Sequence, residues 1–441
     1  MSLFGTDGIR DRAFTHLLSL ENLFQIGQGI ALFLKKHTSS SLPRLLIARD
    51  TRYSGPLIQS QLVCGLLAQG IRVIDGGVLP TPALSVLTHY YQADLGIMIS
   101  ASHNPAEDNG IKLINSEGHK LPPEWESELE SLIQSSISSF AGDGQFEPFA
   151  GSSPYFQALT QRFQLPSFRV VLDGAHGAFS SIGPLLLRKL GIQVFPVACS
   201  PNGHNINQHC GALHPENIVA SVLQEKADLG ICLDGDGDRA IFVDDQGQIQ
   251  DGDKILAILA VKMKEASKLP QSTIVSTIMC NWGLKQCLNE HHIRLIQTPV
   301  GDRHISEQIQ AYGYSLGGEP SGHTIFTDHP TQTGDGVFTS LKVLEVMAQS
   351  GQKLSDLGKV MKTFPQILVN VRVKEKIPLD HIPSLQQALK EAEAHLADQG
   401  RVVLRYSGTE NLLRIMVEGP HETLIHQEAQ KLKDVASLVL A

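Results

Sequence analysis

The chain has 441 residues, 42% of them hydrophobic and 18% charged, which reads as a globular protein long enough for several cores. A formal net charge of -9 argues against nucleic acid as a partner, while an anionic small substrate needs only local Arg and Lys. The six cysteines are scattered without C-x-x-C spacing and read as buried free thiols; with no leader-like opening and no long apolar run, the expectation is a cytoplasmic protein with no membrane partner.

Apolar runs alternate with longer amphipathic stretches, the pattern of α/β domains. Residues 45–48 and 71–74 read as strands, with a helix at 56–69 between them. Leu95-Gly96-Ile97-Met98-Ile99 reads as a buried strand that runs into Ser100-Ala101-Ser102-His103-Asn104-Pro105. Ser102 therefore falls at a strand's carboxyl end, where open α/β sheets place ligands. Asp108-Asn109-Gly110-Ile111 reads as a tight turn that folds Lys112 back toward Ser102. The Ser- and Gly-rich tract 134–155 reads as a linker. A second cycle has a strand at 169–172, a turn at 173–178 and a helix ending at 190; strand 229–233 then enters an aspartate cluster and 240–243 leaves it. A third begins near Asp251, with a helix at 254–266 and a strand at 273–275, and ends near Pro365. Strands at 367–373, 401–404 and 413–417 and a charged helix at 385–397 make a smaller α+β unit. The chain thus reads as four domains, 1–145, 146–250, 251–365 and 366–441, the first three built alike.

Four constellations carry chemistry. Asp234-Gly235-Asp236-Gly237-Asp238-Arg239 sets three carboxylates at alternate positions, which an extended segment points one way. It departs from a calcium loop, with Arg239 at the sixth position and Asp245 at the twelfth. An oxygen-only set suits Mg²⁺, and a solvated acidic turn is the plainer alternative. Ser102 is either a helix N-cap or a nucleophile, for which Lys112 and His103 offer electrostatic or base assistance. Gly318-Glu319-Pro320-Ser321-Gly322-His323 offers an acceptor and a hydroxyl for sugar hydroxyls, though polar loops are common. Arg405-Tyr406-Ser407-Gly408-Thr409, with Arg414 beyond, is either an anion cradle or an ordinary hairpin turn, and it lacks a nucleotide P-loop pattern.

Taken in order over essentially the whole chain, these four loops resemble the α-D-phosphohexomutase superfamily: its phosphoserine, metal, sugar and phosphate loops. Phe4-Gly5-Thr6-Asp7-Gly8-Ile9-Arg10, Arg49-Asp50-Thr51-Arg52-Tyr53-Ser54-Gly55, Val78-Leu79-Pro80-Thr81-Pro82-Ala83 and Val300-Gly301-Asp302-Arg303 are similar to its bacterial phosphoglucosamine mutase branch. So are Cys210-Gly211, His214-Pro215-Glu216 and Thr333-Gly334-Asp335-Gly336. The resemblance implies four domains around a central cleft and interconversion of glucosamine 6-phosphate and glucosamine 1-phosphate for UDP-N-acetylglucosamine synthesis. It implies Ser102 as phosphoryl carrier and one Mg²⁺ per subunit on Asp234, Asp236, Asp238 and a phosphoserine oxygen. Lys112, Arg10, His103 and His323 would handle proton and charge; Arg239, Glu319, Ser321, Arg405, Ser407, Gly408, Thr409 and Arg414 would bind substrate. Asp11, Pro320 and Asn411 depart from the family pattern without removing a reacting group. A phosphomannomutase/phosphoglucomutase shares this chemistry; a phosphatase or an inactive sugar-phosphate-binding protein are the readings from other classes. The oligomeric state is open, a homodimer included.

Overall fold

The computed structural model describes residues 3–5, 8–135, 142–148, 151–407 and 411–440, and their strands form four sheets. The first contains β1 (Ile9–Arg12), β2 (Arg44–Arg49), β3 (Arg72–Val78), β4 (Leu95–Ile99), β5 (Asp108–Asn115) and β6 (Gln145–Pro148), ordered β1-β5-β4-β2-β3-β6. The second contains β7 (Arg169–Asp173), β8 (Gln193–Val197), β9 (Leu229–Leu233), β10 (Ala240–Asp244) and β11 (Ile249–Gln250), ordered β11-β10-β9-β7-β8. The third orders β12 (Thr273–Thr277), β13 (Arg294–Thr298), β14 (Leu316–Gly318) and β15 (Thr324–Phe326) as β13-β12-β14-β15.

One four-strand pattern recurs in all three. A first strand is flanked in parallel by two others, one of which turns back through an antiparallel hairpin: β4 into β5, β9 into β10, β14 into β15. β4 and β9 are continuous apolar runs, all five residues of each buried, because helices cover both faces of a parallel region. The fourth sheet is wholly antiparallel, with β16 (Gln366–Arg372), β17 (Arg401–Tyr406) and β18 (Leu412–Glu418) ordered β16-β18-β17. Its alternation is legible: Leu413, Ile415 and Val417 pack on helices Pro383–Leu396 and Glu422–Leu440, while Arg414, Met416 and Glu418 take the other face. Apolar packing is continuous between the first three units, from Leu84 and Met98 through Phe179 to Phe338, whereas the fourth sheet keeps its own core.

Three expectations are corrected. Part of the tract 134–155 is β6, which pairs in parallel with β3, so the first sheet reaches past the division at 145/146. An exposed edge strand carries no apolar alternation to betray it. Asp108–Ile111 is not a tight turn but the start of β5, paired with β1; its polar Asn109 is buried and donates from Nδ2 to Ser54 Oγ at 2.8 Å. Of the six free cysteines, Cys64 is exposed. Among the described residues no helix is long and apolar enough to cross a membrane.

Candidate active site

The hairpin turns of the three like sheets carry Ser102, Asp234–Arg239 and Glu319–His323, and the packed units bring them together. Arg239 bridges to His323, and the Ala240 N–H donates to the Gly322 carbonyl at 3.2 Å.

Ser102 is 1% exposed and adopts a left-handed backbone conformation, φ 53°. An uncommon conformation for a non-glycine residue needs external support. The Ser100 hydroxyl accepts the Ser102 N–H at 2.9 Å and donates to Asp50 at 2.6 Å. The buried Arg52 guanidinium bonds Asp50 at 2.9 Å and donates to the carbonyls of Ser102, Asn104, Asp108 and Pro105. From the second unit, Asn207 donates to the carbonyls of Ser102 and Asn104 at 2.8 and 2.9 Å. The hydroxyl so placed donates to Asp234 Oδ2 at 2.6 Å, with His103 Nδ1 at 3.3 Å.

Asp234, Asp236 and Asp238 are buried, and one ligand oxygen of each lies within 4.8 Å of the others. They converge through a turn, not through extended alternation. Asp234 Oδ1 accepts the N–H groups of Gly237 and Arg239, both at 3.1 Å, and Gly237 takes φ +77°. Gly235 serves a different need: a Cβ there would stand 2.5 Å from the Ser102 carbonyl oxygen. Asp236 Oδ2 accepts from Thr81 Oγ1 at 2.6 Å and from Lys112 Nζ at 2.8 Å; Lys112 also lies 3.4 Å from Asp238. Burial, Asp238 and Asp236 push the Asp234 carboxyl well up. Burial works the same way on Asp238, but Lys112, His323 and Arg239 outweigh it and hold it well below the usual carboxylate range. Burial, then Arg239 and Arg10, hold His103 down to about 4. His323, despite burial, is raised to about 8 by Asp302 and Asp238.

Asp238, His103 and His323 border a cavity of about 720 Å³ lined by all four units. Arg10, His103 and Lys120 come from the first, Asp238 and Arg239 from the second, Asp302, Glu319, Ser321 and His323 from the third, and Arg405, Ser407 and Arg414 from the fourth. Glu319 accepts the Gly301 N–H at 3.2 Å, with the Ser321 hydroxyl 3.5 Å from its other oxygen. Arg405 and Arg414 are cross-strand partners, and burial and the Arg414 charge lower the Arg405 pKa. Two guanidiniums side by side repel unless an anion lies between them. Gly408 and Thr409 lie outside the described residues. Of the departures, Asp11 accepts the N–H groups of Arg12 and Leu17, and Pro320 lines the cavity. Residue-level reading assigned no role to Arg52, Thr81, Asp302, Lys120 or Asn207. Segments holding the first three carried the family likeness, but nothing local marks their partners.

Four units with these loops define the class, a phosphohexomutase. The family description "Phosphoglucomutase/phosphomannomutase" matches as alpha/beta/alpha domains I, II and III over residues 1–139, 153–247 and 251–364, and as the C-terminal domain over 368–435. Phosphoglucosamine mutase of Shouchella clausii is 44% identical over 439 residues, 98% of each chain. That of Syntrophotalea carbinolica is 42% identical over 444 residues, 98% of this chain and 96% of the other. The chain belongs to the phosphoglucosamine mutase family. Two solved structures share the fold: a phosphoglucomutase/phosphomannomutase family protein from Burkholderia thailandensis (TM-score 0.82, 22% identity, 99% of this chain and 97% of the other) and Aspergillus fumigatus N-acetylphosphoglucosamine mutase in complex with GlcNAc-6P and magnesium (TM-score 0.69, 18% identity, 99% and 96%).

Proposed function

We propose that the chain interconverts glucosamine 6-phosphate and glucosamine 1-phosphate through a phosphoserine at Ser102 and a hexosamine bisphosphate. The observation that carries this is the Ser102 hydroxyl, 2.6 Å from a buried carboxylate of a three-aspartate cluster, beside a cavity that Arg405 and Arg414 line from another sheet. Full-length likeness to phosphoglucosamine mutases supports the sugar.

In the first half, the bond from phosphorus to Ser102 Oγ breaks as a bond forms from phosphorus to the free sugar hydroxyl, whose proton leaves. His103, its Nδ1 3.3 Å from the Ser102 hydroxyl, is near enough to accept it, while Lys112, Arg10 and Arg239 supply positive charge. Arg405, Ser407, Gly408, Thr409 and Arg414 hold the phosphate that is not reacting, and Glu319 and Ser321 hold sugar hydroxyls. The bisphosphate then turns within the cavity and its other phosphate returns to Ser102, with His323 assisting from the sugar loop. Ser102 is buried, and its limited access to water favours a mutase over a phosphatase.

The donor set fits a hard divalent cation. It is oxygen-only, and among the described residues none donates a hydrogen bond to the buried Asp236 Oδ1; Asp238 Oδ1 has His323 Nδ1 at 3.7 Å and Arg239 Nε at 3.8 Å. Asp234, Asp236, Asp238 and a phosphoserine oxygen would hold one Mg²⁺, which when bound supplies neutralising charge to the phosphoryl group.

Turnover assays with glucosamine 6-phosphate, glucose 1-phosphate and mannose 1-phosphate test the reading. The glucosamine phosphate should be preferred, intact-mass analysis should find one phosphate at Ser102, and Ser102→Ala should lose turnover while staying folded. Preference for either other sugar, or an active Ser102→Ala protein, would overturn it.

A further inference from the structure

The fourth sheet keeps its own core, so something else must fix it over the cavity. Arg401 and Glu418 are cross-strand partners at the far end of the β17–β18 hairpin, joined at 2.9 Å, and the Glu418 side chain is fully buried. Neither spends all its bonds on the other. Arg401 Nη1 donates to the Ile278 carbonyl at 2.9 Å and its Nη2 to the Cys280 carbonyl. The second Glu418 oxygen accepts the Trp282 N–H at 2.9 Å, the first residue of helix Trp282–Glu290. These contacts fall on residues 278–282, between the end of β12 and the first residue of that helix, and Ile278 and Met279 there line the cavity.

Side chains two apart on a strand share a face. Arg401 and Arg405 therefore lie on one face of β17, and Glu418 and Arg414 on the matching face of β18, with Val403 and Met416 between. Four residues of strand span about 13 Å. A hairpin pinned at one end by an ion pair whose carboxylate is buried and bonded through both oxygens thus presents its two guanidiniums to the cavity at the other.

We propose that Arg401 and Glu418 are positioning residues that set the placement of the Arg405–Arg414 phosphate clamp. This rests on the clamp reading given under the proposed function. The pair touches neither substrate nor reacting atoms; it acts through the hairpin and the loop it grips. A tilt at the pinned end moves the clamp relative to Ser102 and the carboxylates, which belong to other units.

The test is a mutant cycle in the full-length protein. Arg401→Lys keeps the charge beside Glu418 but replaces a fork that spans two carbonyls by a single ammonium. It should raise KM for glucosamine 6-phosphate about tenfold, with a smaller change in kcat. In an Arg405→Ala background the same substitution should change kcat/KM by less than about twofold, because the clamp through which it acts is gone. Glu418→Gln should repeat the pattern, and it carries the cycle if Arg401→Lys does not fold. Equal losses in both backgrounds, or a wild-type KM in Arg401→Lys, would overturn the inference. A wild-type protein that turns over no hexose phosphate would instead refute the proposed function. The pair would then be judged by titration with inorganic phosphate, where Arg401→Lys must weaken the Arg405-dependent binding about tenfold or the inference falls.

Discussion

Arg52 offers the sharpest test of how the Ser102 turn is held. Its guanidinium makes five contacts, one to Asp50 and four to backbone carbonyls between Ser102 and Asp108. Arg52→Met removes all five and strands a fully buried carboxyl, and breaking a buried pair in this way costs about 3–5 kcal/mol. The cost stays within that range because the Asp50 carboxyl, raised by burial against the pull of Arg52, can take up a proton instead of remaining an uncompensated charge. At about 2–4 °C per kcal/mol, the melting temperature of the affected unit should fall by about 6–20 °C.

Losing Arg52 also gives the deficit a pH dependence. With its folded pKa raised further above the unfolded value of about 3.9, Asp50 binds a proton in the folded state where the unfolded chain has lost it. Stability contributed this way is present below the unfolded pKa and declines as pH rises toward the folded one. The gap between variant and wild type should therefore be smaller near about pH 5 than near about pH 8. Turnover should fall at least about 100-fold, since an ångström of displacement at a reacting group costs that much. Thermal melts across pH and steady-state kinetics check both. An Arg52→Met protein with a wild-type melt and kcat within about threefold of wild type would show that Arg52 does not hold the turn.

Two further outcomes follow from the carboxylate cluster. Asp236→Asn should lower kcat at least about 100-fold, as expected for loss of one preorganised electrostatic group, and EDTA should silence the wild-type enzyme until Mg²⁺ is returned; full activity in EDTA would rule out the metal. Gly235→Ala would set a Cβ 2.5 Å from the Ser102 carbonyl oxygen and 2.9 Å from Asn207 Nδ2. Pushing the turn off Asp234 should cost at least about tenfold in kcat with little change in KM, and unaltered kinetics would show that the close approach is dispensable.

The sequence by itself determined whatever a few consecutive residues can express. The apolar runs of β4 and β9 announce strands buried on both faces, and the turns that follow them hold Ser102 and the three aspartates. Each such group sits next to the strand that carries it, so its place follows from local pattern. Tertiary structure decided the partners. Arg52 lies 50 residues from Ser102, Asn207 lies 105 beyond it, Thr81 meets Asp236 across 155, and Arg401 reaches Ile278 across 123. No periodicity links such pairs, because the first is made by strands brought side by side in one sheet and the others by packing one unit on another. The exposed edge strand β6 was hidden for a related reason: its place comes from hydrogen bonding to β3, and backbone pairing leaves little mark on side-chain composition.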